Sequence, residues 1–180
     1  MLTLGKLCTF VALQTFSAHT PDRTPLSEMS PSYQRVWKKR YMDSRIEECK
    51  RLVRFAKNQP GLSDNSRLDV KRHEILWILS TAVVESGLNN SVVSKRGAKS
   101  SMQTYRKYAP CKTCDLRVAG IYHAITYQRK HGSCSAAAKY NAGPRGTCMG
   151  LGRGYASLVL SVYEDVCAED GTECPIDWGC

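Results

Sequence analysis

One acidic side chain stands where a carboxyl could do acid–base work. Glu85 follows Ala82-Val83-Val84 at the C-terminal end of the most apolar helical stretch in the 180-residue chain. A carboxyl there meets two effects of the same sign, since partial loss of water and the negative end of the helix dipole both disfavour its charged form and raise its pKa. A carboxyl kept protonated near neutral pH is what a general acid for glycosidic cleavage requires. Ordinary glycosidases pair it with a second carboxylate that attacks or activates water. Between residues 86 and 114 there is no Asp or Glu, and Asp115, the first to follow, stands at the start of a helix. A one-carboxylate site fits cleavage assisted by the substrate's own acetamido group. The plainer reading of Glu85 is an exposed helix-end glutamate, or one paired with Lys95 or Arg96. His73, His123 and His131 have neither triad nor metal spacing, which leaves them surface or core roles.

The elements that must hold this residue read as helices. Residues 19–32 carry Pro21, Pro25 and Pro31 and read as a linker or loose arm. From Tyr33 to about Lys57 an apolar stripe through Val36, Ile46 and Val53 lies among many Lys and Arg, and Asn58-Gln59-Pro60-Gly61 stops the helix. The next helix, capped by Asp69 or Ser66, carries Ile75, Leu76, Ile78, Leu79, Ala82 and Val83 to a terminator at Gly87. Leu116–Lys130, a short stretch from Ser133 or Ser135 to Tyr140, and residues 155–167 complete the set. Period-two strands are scarce, so the fold class is mainly α. The domain reading is 1–18 leader, 19–67 arm and basic helix, 68–167 catalytic domain, and 168–180 a disulfide-pinned tail.

Lys and Arg number 26 against 16 acids, a net charge of +10. Such a chain is drawn to polyanions, among them nucleic acid, anionic lipid and cell-wall polymers. No apolar run is long enough for an ordinary transmembrane helix, so no stable membrane span is expected. Residues 1–18, MLTLGKLCTFVALQTFSA, have the layout of a secretory signal peptide, with Lys6 first, an apolar stretch from Leu7 to Phe16, then small residues. Cleavage near Ser17 or Ala18 discards Cys8 and leaves an even set of disulfide candidates: Cys49, Cys111, Cys114, Cys134, Cys148, Cys167, Cys174 and Cys180. A secreted or periplasmic location follows from that reading. The rival is zinc held by Cys111-Lys-Thr-Cys114 with His131 and Cys134, but no second CxxC accompanies it. A redox-active CxxC lacks a surrounding βαβ pattern. No metal and no cofactor are expected.

Three blocks, in order, change the weight given to Glu85. ESGLNNSVVSKRGAKSSMQ at 85–103, KYNAGP at 139–144 and the tyrosine of GYASLVLSVY resemble the lytic transglycosylase (SLT) family of peptidoglycan-cleaving enzymes. Its pattern runs E-S-x-x-N, S-x-x-G-A-x-G-L-M-Q, Y-N-A-G-P and a final tyrosine. Glu85, Ser86, Asn89, Ser94, Gly97, Ala98, Met102 and Gln103 fall at the matching spacings, as do Tyr140 to Pro144 and Tyr155. The likeness covers roughly residues 70–166 and implies a goose-type-lysozyme-like helical fold. One departure is plain: the family's G-L before M-Q is Ser100-Ser101 here, and that leucine normally packs under the cleft.

The resemblance implies cleavage of the β-1,4 bond between N-acetylmuramic acid and N-acetylglucosamine by a monomer acting on peptidoglycan strands. Glu85 would protonate the glycosidic oxygen, then take the proton of the muramoyl 6-hydroxyl as it closes a 1,6-anhydro ring. Ser94, Gln103 and Asn141 would bind sugar hydroxyls and acetamido groups. Tyr140 and Tyr155 would pack on sugar faces or bond to Glu85. Met102 would line the cleft or fill the core. Two other readings compete. One is a hydrolytic muramidase of the same fold, favoured if Asp115 folds back to activate water. The other is a non-catalytic, basic, disulfide-rich wall-binding protein. A nucleic-acid module ranks below both and is not expected, because the basic residues carry no recognisable binding motif.

Overall fold

The structure, a computed structural model, describes residues 1–18 and 30–178. The stretch with Pro21 and Pro25 and the terminal Cys180 lie outside the described residues. The described residues form six α-helices: α1 Leu4–Ala18, α2 Pro31–Asn58, α3 Arg72–Ser86, α4 Leu116–His131, α5 Ser133–Ala142 and α6 Arg153–Asp170. Extended pairing among them is limited to isolated bridges, Val93 with Lys99 and Lys99 with Thr104. The mainly α expectation holds.

Helix α3 is apolar around its circumference, and such a helix has to be enclosed. It is buried from Glu74 to Val83, with α1, α2, α4 and α6 packed around it. Trp77 anchors the enclosure. Its indole N–H donates to the Ala124 carbonyl at 3.1 Å, and its ring meets Tyr163 edge-on at 5.2 Å. The helix begins later than Asp69 or Ser66 would place it. Residues 64–66 make a separate 3-10 turn. The cap comes from inside the helix, where Glu74 Oε2 accepts the Lys71 amide at 2.8 Å. Arg129 of α4 then grips the Glu74 carboxylate at 2.6 Å.

Two more arginine–carboxylate ties cross the interior. Arg72 holds Asp170 at 2.5 Å, joining α3 to α6. Burial pushes the Asp170 carboxyl up, but bonds from Arg72, Thr172 and the Leu2 amide outweigh it and bring its pKa down to about 2. Arg117 of α4 holds Glu48 of α2 at 3.0 Å, with both side chains less than a tenth exposed. Removing one member of a buried pair costs about 3–5 kcal/mol, because the survivor is left charged and alone.

Residues 1–18, expected to be a leader, form α1 in the full-length chain. Leu7, Cys8, Val11, Ala12 and Thr15 are fully buried in α1, which packs on α2, α3 and α6. Cys8 forms a disulfide with Cys49 of α2. Thr15, within the apolar stretch, donates to the Ala12 carbonyl at 2.7 Å and bonds the Tyr41 hydroxyl at 3.0 Å. Ahead of α1, the Leu2 amide reaches Asp170 at 2.9 Å. A short apolar stretch followed by small residues suits a leader and can also pack as a core helix.

The other disulfides are Cys111–Cys114, Cys134–Cys148 and Cys167–Cys174. The paired set therefore includes Cys8, which the parity argument had discarded. The thiols of the zinc alternative are consumed in two of these bridges. Cys167–Cys174 closes the chain just past the end of α6, where Gly171 takes a left-handed conformation. Among the described residues no helix is long and apolar enough to cross a membrane.

Candidate active site

Helix α3 delivers Glu85 to one end of the core and then stops. Gly87 adopts φ +59°, a left-handed conformation open to glycine at little cost, and its amide closes on Val83 at 2.9 Å. Ser86 ties that helix end to the following loop. Its hydroxyl donates to the Ser101 carbonyl at 2.8 Å and accepts the Asn89 amide at 3.1 Å. Ser86 thus positions the loop.

Glu85 is half-buried, and the Tyr155 hydroxyl of α6 donates to its Oε1 at 2.6 Å. Burial raises the carboxyl pKa from 4.5 to about 7, even though the Tyr155 hydrogen bond stabilises the charged form and pulls the other way. No ion pair involves Glu85 among the described residues, so pairing with Lys95 or Arg96 is not what the structure shows. Tyr140 of α5 lies close enough to Glu85 for that charge, second to burial, to raise the phenol's pKa. The Tyr140 hydroxyl donates to the Met102 carbonyl at 2.7 Å. Tyr155 is raised as well, by burial first and then by the charge of Glu85.

Beside this trio runs a groove of about 730 Å³. Gln103, Thr104, Tyr140, Asn141, Gly143 and Pro144 form part of its lining. Tyr105, Lys107, Tyr108, His123 and Tyr127 make another stretch, and Arg96 and Lys139 add positive charge. No carboxylate is among the lining residues. Glu85 itself does not line the groove. Tyr140, whose phenol feels the charge of Glu85, is part of the lining.

The six substrate-binding candidates divide. Gln103, Tyr140 and Asn141 face the groove, and Tyr155 bonds Glu85 directly. Ser94 and Met102 do not fit the role. Ser94 closes its own turn: its amide bonds the Ala98 carbonyl at 2.8 Å and its hydroxyl accepts the Ala98 amide at 2.9 Å. Met102 is fully buried in the core, and only its carbonyl, which accepts Tyr140, serves the site. Gln103 uses its amide nitrogen to brace the loop, donating to the Val92 and Ser100 carbonyls at 3.0 and 2.8 Å.

Two further outcomes concern acids and packing. Asp115 does not fold back toward Glu85. It caps α4 by accepting the Arg117 amide at 2.9 Å and pairs with the Arg117 side chain at 2.6 Å. Burial raises its carboxyl pKa, but the Arg117 bonds prevail and hold it below the usual aspartate value. Ser101, where the resembling family has leucine, is fully buried and donates to Glu48 at 2.7 Å. The floor under the loop is thus a polar network through Glu48, Arg117 and Asp115. Gly120 of α4 permits the close approach of that loop. A Cβ there would overlap the Met102 Cβ and come within 2.6 Å of Thr104 Oγ1 and 2.9 Å of the Tyr140 hydroxyl. The sequence reading missed Gly120 and the Tyr105-Arg106-Lys107-Tyr108 wall. A glycine in mid-helix and an aromatic–basic cluster just after Met102-Gln103 were the available signals.

Tyr155→Phe removes the one hydrogen bond that stabilises ionised Glu85. A bond to a charged group is worth about 1.5 kcal/mol or more, so the Glu85 pKa should climb by about one further unit. The NMR titration of the Glu85 side-chain carbonyl carbon should move to higher pH. An unmoved midpoint would show that Tyr155 only packs.

These features define a mainly α protein with a carboxyl of raised pKa at the end of its most enclosed helix and an acid-free groove lined in part by Tyr140. Comparison with protein-family models, with curated proteins and with solved structures returns no match.

Proposed function

We propose that this chain is a peptidoglycan lytic transglycosylase with a lysozyme-like helical domain. It would cleave the β-1,4 bond between N-acetylmuramic acid and N-acetylglucosamine and leave 1,6-anhydro ends. One observation carries the reading: burial raises the Glu85 pKa to about 7, and Tyr140, which the charge of Glu85 reaches, lines a groove that holds no carboxylate. The three motif blocks of the sequence add to it.

In this reading Glu85 donates its proton to the glycosidic oxygen as the bond to C1 breaks. The carboxylate left behind accepts the proton of the muramoyl 6-hydroxyl, whose oxygen closes on C1. Proton and bond counts balance without water or cofactor, and Glu85 ends protonated for the next turn. Tyr155 keeps the carboxyl pointed and supports it during its charged interval. Asn141 and the carbonyl of Gln103 offer polar groups to sugar substituents, and Tyr140 offers an aromatic face. Four disulfides fit a secreted or periplasmic setting, and the same proposal takes the protein to act there as a monomer on glycan strands.

Mass spectrometry of purified peptidoglycan digested by the protein tests the reading. Anhydro-ended muropeptides are the expected product. Reducing ends would replace it with the hydrolytic muramidase, a reading weakened by the engagement of Asp115 with Arg117. Binding to the wall with no fragments released would leave the non-catalytic wall-binding protein.

A further inference from the structure

The positive charges of this chain are of two kinds. Arg72, Arg117 and Arg129 are neutralised by Asp170, by Glu48 with Asp115, and by Glu74. Arg96, Lys107 and Lys139, all on the groove, have no ion-pair partner among the described residues. Three cations facing one concavity without an acid repel one another and focus a positive field into it.

They are also held in place by other means. The Lys107 ammonium lies 4.7 Å from the centre of the Tyr108 ring and 5.8 Å from that of Tyr105. Those rings meet edge-on at 6.0 Å, and the Tyr108 carbonyl is tied to His123 Nε2 at 2.6 Å. Lys139 donates to the Pro144 carbonyl at 2.8 Å, which fixes it beside the turn that follows α5. Lys107 is thus set on an aromatic wall and Lys139 on a backbone carbonyl, and neither interaction cancels its charge.

We propose that this wall is a carboxylate-binding subsite: Lys107, Lys139 and Arg96 hold carboxylates borne by the bound glycan while Tyr105 and Tyr108 pack on its sugars. The proposal rests on the glycan-cleavage reading and names what that groove selects. A muramoyl strand carries carboxylates from one of two sources at each muramic acid: the attached peptide, or, where no peptide is attached, the free lactyl group, whose carboxyl the peptide amide would otherwise consume. A chitooligosaccharide of the same length carries none.

Isothermal titration calorimetry with three probes at low salt, about 50 mM, makes the test: peptide-bearing muramoyl strands, strands stripped of peptide, and a chitooligosaccharide. One or both of the carboxylate-bearing probes should bind about tenfold or more tighter than the chitooligosaccharide. Tighter binding of the stripped strand alone assigns the lactyl carboxylate, of the peptide-bearing strand alone the peptide, and of both a subsite that takes either. The margin should shrink at about 300 mM salt and vanish in Lys107→Gln/Lys139→Gln, neither of which is a core position. Equal affinity for all three probes, no binding of any of them, or a margin that survives both salt and substitution overturns the subsite. Product masses from whole peptidoglycan are read separately. Anhydro products with equal probe affinities would sink the subsite alone, and charge-dependent binding without products would sink the cleavage reading alone.

Discussion

Glu85→Gln should abolish release of soluble fragments from peptidoglycan and, at pH 8, should melt later than the unsubstituted protein. The two effects share one cause. A general acid is worth about 10²- to 10⁴-fold in rate, and no carboxylate lines the groove to substitute, so a loss of at least about 10²-fold is expected. The stability effect follows from linkage. Unfolded, Glu85 titrates near 4.5; folded, near 7. Between those values the folded state binds more protons than the unfolded one, so stability falls as pH rises. The contribution is fully present below pH 4.5 and lost as the pH passes 7. Over the whole window it amounts to about 3 kcal/mol. Glutamine is neutral throughout and does not take part. The variant and the parent should therefore melt together near pH 4.5 and diverge toward pH 8 by several degrees, at about 2–4 °C per kcal/mol for a chain of this size. A gap of equal size at both ends of the range would refute a carboxyl held neutral by burial, whatever the activity shows.

Cys8→Ser should cost about 4 kcal/mol, the chain-entropy value for a bridge spanning 41 residues. Both cysteines are fully buried between α1 and α2, so serine there adds a hydroxyl with no water to meet. Cys49→Ser should cost the same, and the double substitution little more, because all three variants lose one bond. Thermal melts of the oxidised proteins measure the losses. Peptide mapping of the purified protein should return Cys8 linked to Cys49. A mature chain beginning after Ala18 would contradict the linkage and restore the leader reading.

That contrast shows where local pattern stops being decisive. The helix ends were legible because their causes are local. Pro60-Gly61 after α2, Gly87 after α3 and Gly143-Pro144 after α5 break helices through backbone conformation or a missing amide. The place of Glu85 was legible for a related reason: an apolar run followed by Glu and then a glycine stop puts a carboxyl at the edge of a core. The fate of α1 was not, because Leu7, Val11 and Ala12 are ordinary residues whose burial depends on surfaces of α2, α3 and α6 far off in the chain. Met102 and Ser94 kept the motif spacing but not the expected task, since spacing fixes where a backbone turns and says little about which way a side chain faces.

By itself, then, the order of residues determined the helical class, the stops between helices and a lone carboxyl at the end of the most apolar one, all consequences of interactions among near neighbours. Only the tertiary structure decided that Tyr155 bonds Glu85, that Arg117 pairs with Asp115, and that Lys107 and Lys139 share a groove without an acid. Each of these is a meeting of side chains 2 to 70 residues apart whose partners were chosen by packing geometry, and a linear pattern carries no record of that choice.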